Sequence, residues 1–238
     1  MLEEFIYRLL KLARDLSPYN KNDAEFLKHF TSQHLKLLSK KLLEYYQQGV
    51  PSKRLPYFEE EITPSLELIF KPFETVLHTI INRLDYSQKE KYALSLLKVI
   101  EISGLPKILI LMGQRITPGS VQNQLALPPT NSILISSATG MYNKEISLAA
   151  KALSKHMERN KNTFWGKPSG SNFDKNRKAK EIILNLLNNK SWWNVFVHYQ
   201  LGLVFETRLP EGHGARWSAD GKMFIGFLEP FTTSRKEI

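Results

Sequence analysis

Glu206, Arg208, Gly212, His213, Gly214, Ala215, Arg216 and Trp217 gather, within one short span, the side-chain types that acid–base chemistry on an anion requires. Imidazole changes charge nearest neutral pH, so His213 in its glycine-flanked loop is a candidate general acid or base. In that reading Arg216 binds an anionic substrate and Glu206 orients the imidazole. The ordinary alternative is structural. Glu206 and Arg208 project to the same side of a strand, and the antiparallel return of Arg216 brings opposite charges face to face.

A second candidate is the loop Gly166, Lys167, Pro168, Ser169, Gly170, Ser171, Asn172, which runs into a helix. Free backbone amides and the helix dipole at such a start favour anions. Lys175, Arg177 and Lys178 follow in the first turns, where the same dipole disfavours cations unless a phosphate docks on the loop. Lys151, Lys155 and Arg159 lie on the helix before it, and Lys151 to Lys180 holds nine basic residues against only Glu158 and Asp174. Much of the net charge of +10 therefore sits in one stretch, as expected of a surface for an anionic partner. The loop lacks Walker A spacing. The plain alternatives are that Ser171 or Asn172 caps the helix, that the lysines are solvated, and that an AT-rich genome explains 23 Lys to 10 Arg. Phe164 and Trp165, just upstream, either stack on bases or plug a core.

The remaining histidines offer less. His29 and His34 do not share a helical face, His78 lies in an apolar helix, His198 lies in an apolar strand, and His156 reads as a surface or half-buried residue beside Lys155. No metal site and no cofactor site is expected from them. The chain has no cysteine, which excludes disulfides, thiolate catalysis and Cys-ligated metals. Early acids Glu3 and Glu4 argue against a secretory or transit segment, and the apolar runs are too short to span a membrane. An intracellular setting is the expectation, with the compartment open.

The elements that must position these groups change character along the chain. Leu2, Phe5, Ile6, Leu9, Leu12, Ala13 and Leu16 line one face of a first helix. A second is expected from an Asp23 cap to Gly49, a third after Thr63 and Pro64 with a kink at Pro72, and a fourth from a Ser87/Glu90 capping box to Ile102. Lys107 to Met112 lies between strand and helix in pattern, with helix favoured. Punctuation from Thr117 to Gly140 marks a boundary. Beyond it, helices over about 143–157 and 173–189 precede strands at 193–199, 203–209, 215–218 and 223–228, with a tight turn at Asp220 and Gly221. The expected fold is α+β: a helical region over 1–116, then a module over 117–238 of two helices and a small antiparallel meander.

Six segments of that module, AKALSKH (Ala150–His156), FWG (Phe164–Gly166), Ser169 with Gly170, Lys175 with Asn176, GHGARW (Gly212–Trp217) and FIGFLEP (Phe224–Pro230), resemble the C-terminal pattern of an uncharacterised family of eukaryotic proteins. The resemblance carries no activity or cofactor. It implies that the two candidate sites share one module.

The leading expectation is a binding protein whose basic α+β module takes nucleic acid or a phosphorylated molecule. Lys151, Lys155 and Arg159 would contact phosphates, and Lys167, Ser169, Gly170, Lys175, Arg177 and Lys178 would form a cradle. The alternatives are an enzyme acting on an anionic small molecule through His213, Arg216 and Glu206, and a structural subunit whose helical half is a protein-partner surface.

Overall fold

Apolar residues spaced three and four apart build the helices of the first half of the chain. The computed structural model describes residues 2–17, 23–52, 54–159, 164–166 and 170–230. Two compact units emerge, one from Met1–Lys53, Ile62–Ile116 and Val121–Leu127, the other from Arg54–Glu61, Thr117–Ser120 and Pro128–Ile238.

In the first unit, helix α1 (Leu2–Leu16) buries Phe5, Ile6, Leu9, Leu10 and Ala13. It packs on α2 (Ser32–Gln48) and α4 (Lys89–Leu111), and α3 (Leu66–Arg83) also packs on α4. The starts differ from expectation because other side chains win the caps. A 3-10 stretch occupies Asp23–His29, and α2 begins only after Thr31, which closes a capping box with His34. Ser65 caps α3, while Thr63 Oγ1 accepts the amide of Ile116 at 2.8 Å. Helix α3 continues through Pro72. Ser87 is held by Asp85 on a 3-10 turn, so the expected Ser87/Glu90 box does not form. Gly104, at φ +70°, breaks the helical backbone of α4, and the Leu105–Leu111 run resumes it as helix. Among the described residues no helix is long and apolar enough to cross a membrane.

The second unit contains α5 (Asn131–Thr139), α6 (Leu148–Arg159), α7 (Asn172–Asn189) and strands β1 (Trp192–His198), β2 (Gly202–Arg208), β3 (Gly214–Ser218) and β4 (Phe224–Leu228). The strands form one antiparallel meander in chain order, so the fold is α+β. Sequence reading did not foresee α5. Its serines, threonines and isoleucines are weak helix formers, and burial of Leu134 and Ala138 carries it. Helix α6 starts at Leu148, where Ser147 Oγ accepts the amide of Ala150 at 3.2 Å.

Strand alternation then sorts the side chains. Trp193, Thr207, Ala215 and Phe227 pair across the sheet, as do Val195, Phe205, Trp217 and Phe224. This is the face packed by α5, α6 and α7, where Trp217 Nε1 donates to the carbonyl of Leu134 at 3.1 Å. Asn194, Glu206 and Arg216 pair on the opposite face. There Asn194 donates to Ser120 Oγ at 2.7 Å and Phe58 packs on Trp192. Continuing the same parity, His213 ahead of Ala215 and Glu229 beyond Phe227 belong to the helix-covered face.

Gly214 of β3 leaves no room for a side chain against β2. A Cβ there would lie 2.2 Å from the Thr207 carbonyl oxygen and 2.7 Å from Arg208 Cγ. Overpacking of this kind predicts that Gly214→Ala lowers unfolding free energy by about 2–3 kcal/mol in urea titration. Gly119→Ala, whose Cβ meets nothing nearer than 3.6 Å, should stay within about 0.5 kcal/mol of the parent. Equal effects at the two positions would contradict the close approach.

Candidate active site

Four segments converge at the end of the helix-covered sheet face. Helix α6 supplies His156, one residue before the core residue Met157 and three after buried Leu153. The Phe164–Gly166 loop supplies Phe164 and fully buried Trp165, the β2–β3 turn supplies His213, and the chain just past β4 supplies Glu229. The turn is tight: Leu209 N donates to His213 O at 2.8 Å and Gly212 N to Leu209 O at 2.9 Å. Gly212 holds φ +92°, where a Cβ would lie 3.0 Å from Pro230.

Glu229 is the hub. Its Oε1 accepts from Trp165 Nε1 at 2.6 Å and faces His156 Nδ1 at 2.7 Å. An ionised carboxylate only accepts, so His156 donates through Nδ1 and keeps Nε2 for other partners. Glu229 Oε2 lies 3.6 Å from His213 Nε2, beyond hydrogen-bonding distance. His213 is 5% exposed, and among the described residues neither ring nitrogen has a hydrogen-bond partner. Phe164 stacks on the imidazole with ring centroids 3.6 Å apart and planes 4° from parallel, and Trp165 meets it edge-on at 5.3 Å. Burial pushes the His213 pKa down, against the opposing pull of Glu229 and Glu211. The neutral imidazole is therefore favoured, with one nitrogen able to accept a proton.

Glu206 and Arg216 lie apart from this cluster. The pleat sends them to the opposite face from His213, so Glu206 does not orient the imidazole, and Glu229 is the carboxylate that faces it. Both Glu206 oxygens are occupied: Oε1 by Arg208 Nε at 2.6 Å, Oε2 by Arg216 Nε at 2.8 Å and Nη2 at 2.6 Å. Glu206 and Arg208 are buried. Arg208 nevertheless serves the cluster, because its Nη1 donates to the carbonyls of Gly212 at 2.6 Å and Glu229 at 2.8 Å. One guanidinium thus ties the backbone beside His213 to that of Glu229.

The basic residues spread over two helices. On α6, Lys151 sits over the Tyr142 ring, 3.0 Å from its centroid, and Lys155 is exposed. On α7, Lys175 is half-buried, and half-buried Lys178 reaches back to Gly166. Arg177 pairs with Asp174 at 3.4 Å. The start of α7 holds the protein's own carboxylate: Asp174 Oδ2 accepts from Ser171 Oγ at 2.7 Å and Ser171 N at 3.1 Å, beside Gly170. These bonds hold the Asp174 pKa below the usual carboxylate range. Lys167, Ser169 and the Arg159 side chain lie outside the described residues. Among the described residues no group of three or more His, Asp or Glu has an arrangement that would hold a metal ion.

Residues 135–229 match the model of a protein family described as the CdiA C-terminal tRNase toxin domain. That stretch is under half the chain and includes His156, Phe164, Trp165, His213 and Glu229. It corrects the resemblance to an uncharacterised eukaryotic family, since the stretch that carries the pattern is similar to a bacterial toxin family. No curated protein and no solved structure matches the chain.

Sequence reading picked His213 but passed over His156 and Glu229. The signal was there: Glu229 follows Phe227 on the inward parity, and His156 neighbours the core stripe of α6. What no spacing rule gives is their meeting across 73 residues. Glu206→Gln leaves buried guanidinium charge without its counter-ion. It should lower stability by about 3–5 kcal/mol in denaturant titration, and a loss under about 1 kcal/mol would show that Arg208 and Arg216 are otherwise compensated.

Proposed function

We propose that the second unit cleaves RNA, with transfer RNA the first substrate to test, and that His156, Glu229 and His213 carry the reaction. The observation that carries the reading is the buried His213, both ring nitrogens unpartnered among the described residues, beside a carboxylate already bound to a second imidazole. Buried polar groups are ordinarily hydrogen-bonded, so an unsatisfied imidazole in such a cluster marks a functional site. Similarity of residues 135–229 to a family named for tRNA cleavage supports the same chemistry, and the lysines of α6 and α7 suit a polyanionic substrate. The broader expectation of a nucleic-acid partner stands; the finer reading adds catalysis to binding. Transfer RNA lies inside cells, so the domain acts there.

RNA carries its own nucleophile in the 2′-hydroxyl. Neutral His213 takes the 2′-hydroxyl proton as the oxygen attacks the adjacent phosphorus, forming the new P–O bond. The bond from phosphorus to the 5′-oxygen breaks, and imidazolium His156, held by Glu229, donates a proton to that leaving oxygen through Nε2. The products are a 2′,3′-cyclic phosphate and a 5′-hydroxyl. The proton gained by His213 and that lost by His156 then return through solvent. Glu229 fixes the His156 tautomer, and general acid–base groups of this kind contribute roughly 10²–10⁴-fold each.

His156→Ala and His213→Ala should each reduce single-turnover tRNA cleavage by about 10²–10⁴-fold, with tRNA binding retained. Undiminished cleavage in either variant, folded as the parent by circular dichroism, refutes its assigned role.

The pH profile gives an independent check. A base must be deprotonated, and the lowered His213 pKa keeps it so below the ordinary histidine value. The acid limb of kcat/KM should therefore fall below about pH 6.5, with activity lost only as pH drops through the depressed value. An acid limb at or above that pH contradicts His213 as the base.

A further inference from the structure

Arg208 pairs with Gly214 of β3, which in turn pairs with Leu228 of β4, so these three positions form a row across the sheet. Residues directly opposite one another project from the same face, here the one that also carries Glu206 and Arg216. The missing side chain of Gly214 opens the row: a Cβ there would lie 2.7 Å from Arg208 Cγ. The Arg208 side chain therefore lies across β3 and reaches the end of β4, where Nη1 donates to the carbonyls of Glu229 at 2.8 Å and Gly212 at 2.6 Å. Glu206 Oε1 accepts from Nε at 2.6 Å and so sets the direction of the guanidinium. A charged side chain rooted on one face of the sheet thereby grips the backbone on both sides of the site on the other, at the residue before His213 and at Glu229 itself.

This grip bears on one distance. Glu229 Oε2 stands 3.6 Å from His213 Nε2, and roughly half an ångström of drift would bring it within the hydrogen-bonding limit of about 3.2 Å. With that bond closed the carboxylate would favour the imidazolium, and a base that already holds its proton cannot take another. The surrounding charges oppose one another at the same ring. Burial, the largest effect, pulls the His213 pKa down, and the charges of Arg208 and His156 act with it, while Glu229 and Glu211 pull upward. Arg208 thus acts on the imidazole twice, through the backbone it holds and through its own charge.

We infer that Arg208 is a positioning residue of the reaction: it keeps His213 and Glu229 apart, so that of the two imidazoles the carboxylate holds only His156, and His213 stays available to take the substrate proton. The inference rests on the RNA-cleaving reading and deepens it. It also gives Glu206 a part in the site, as the group that aims the guanidinium.

Two variants test it. Arg208→Lys keeps a positive charge beside Glu206 but exchanges the rigid guanidinium for a single ammonium, and Arg208→Met removes the charge as well. Circular dichroism checks their folding, which Arg208→Lys preserves by leaving Glu206 its buried counter-ion. Titration of the His213 ring by NMR, which needs no RNA, should give a midpoint above the parent's in both variants, higher by about 1 in Arg208→Met. In steady-state tRNA cleavage Arg208→Lys should lower kcat about 10- to 100-fold and leave KM within about 2-fold of the parent, with the acid limb of kcat/KM moved to higher pH alongside the NMR midpoint. A merely structural role would lower the unfolding temperature and leave the titration where it was. An unmoved His213 midpoint in folded Arg208→Lys, or a loss confined to KM, overturns the positioning role. A parent protein that cleaves no tRNA overturns the reaction, while a raised midpoint in the variants still supports the fixed gap.

Discussion

One carboxylate holds the end of the helix-covered sheet face together. Glu229 Oε1 takes hydrogen bonds from both His156 and Trp165, and these partners come from a helix and a loop that nothing in the local sequence would bring to β4. A carboxylate partly withdrawn from water loses hydration that donors must offset. The two donors meet that need and, in the same act, fix where the α6 imidazole stands. Arg208 completes the frame from beneath by binding the Gly212 and Glu229 carbonyls, so the turn carrying His213 cannot drift from the strand end carrying Glu229.

The pleat divides the unit's two charged constellations by task. On one face Glu206 is shared by Arg208 and Arg216 in a buried network whose partners are mutually satisfied. On the other, His213 has two nitrogens without a hydrogen-bond partner among the described residues. The first arrangement holds strands in register; the second is chemically unspent. This asymmetry decides which carboxylate and which histidines belong to the proposed reaction. Burial separates the two glutamates as well, for the Glu206 side chain is 1% exposed and that of Glu229 33%.

Much of the architecture was legible from sequence. Period-2 alternation and the Asp220–Gly221 turn placed the four strands within a residue or two, and helical spacing placed α1 and α7. The caps failed where local hydrogen bonds competed, as with Thr31 in place of Asp23 and Asp85 holding Ser87. Helix α5 failed because burial overrode propensity. In the site, His213 was visible from its glycine flanks, yet Glu206 was taken as its partner because it is near in sequence. Strand parity separates them, and the long-range meeting of His156 with Glu229 depends on how α6 docks on β4. The anion cradle at α7 is an expectation from a glycine-containing helix start and its surrounding charge; at that start Asp174 accepts from Ser171, and Lys167 and Ser169 lie outside the described residues. The family likeness was placed in the wrong group because a short pattern identifies a module better than its lineage.

In the proposed reaction these imidazoles use the substrate's own 2′-oxygen as nucleophile. The most direct measurement is the chemistry of the new ends when purified protein is incubated with transfer RNA in a metal chelator. That reaction predicts cleavage that leaves a 2′,3′-cyclic phosphate and a 5′-hydroxyl, and none at a nucleotide whose 2′-hydroxyl is methylated. Cleavage that leaves a 3′-hydroxyl and a 5′-phosphate, or that proceeds at the methylated nucleotide, would contradict it.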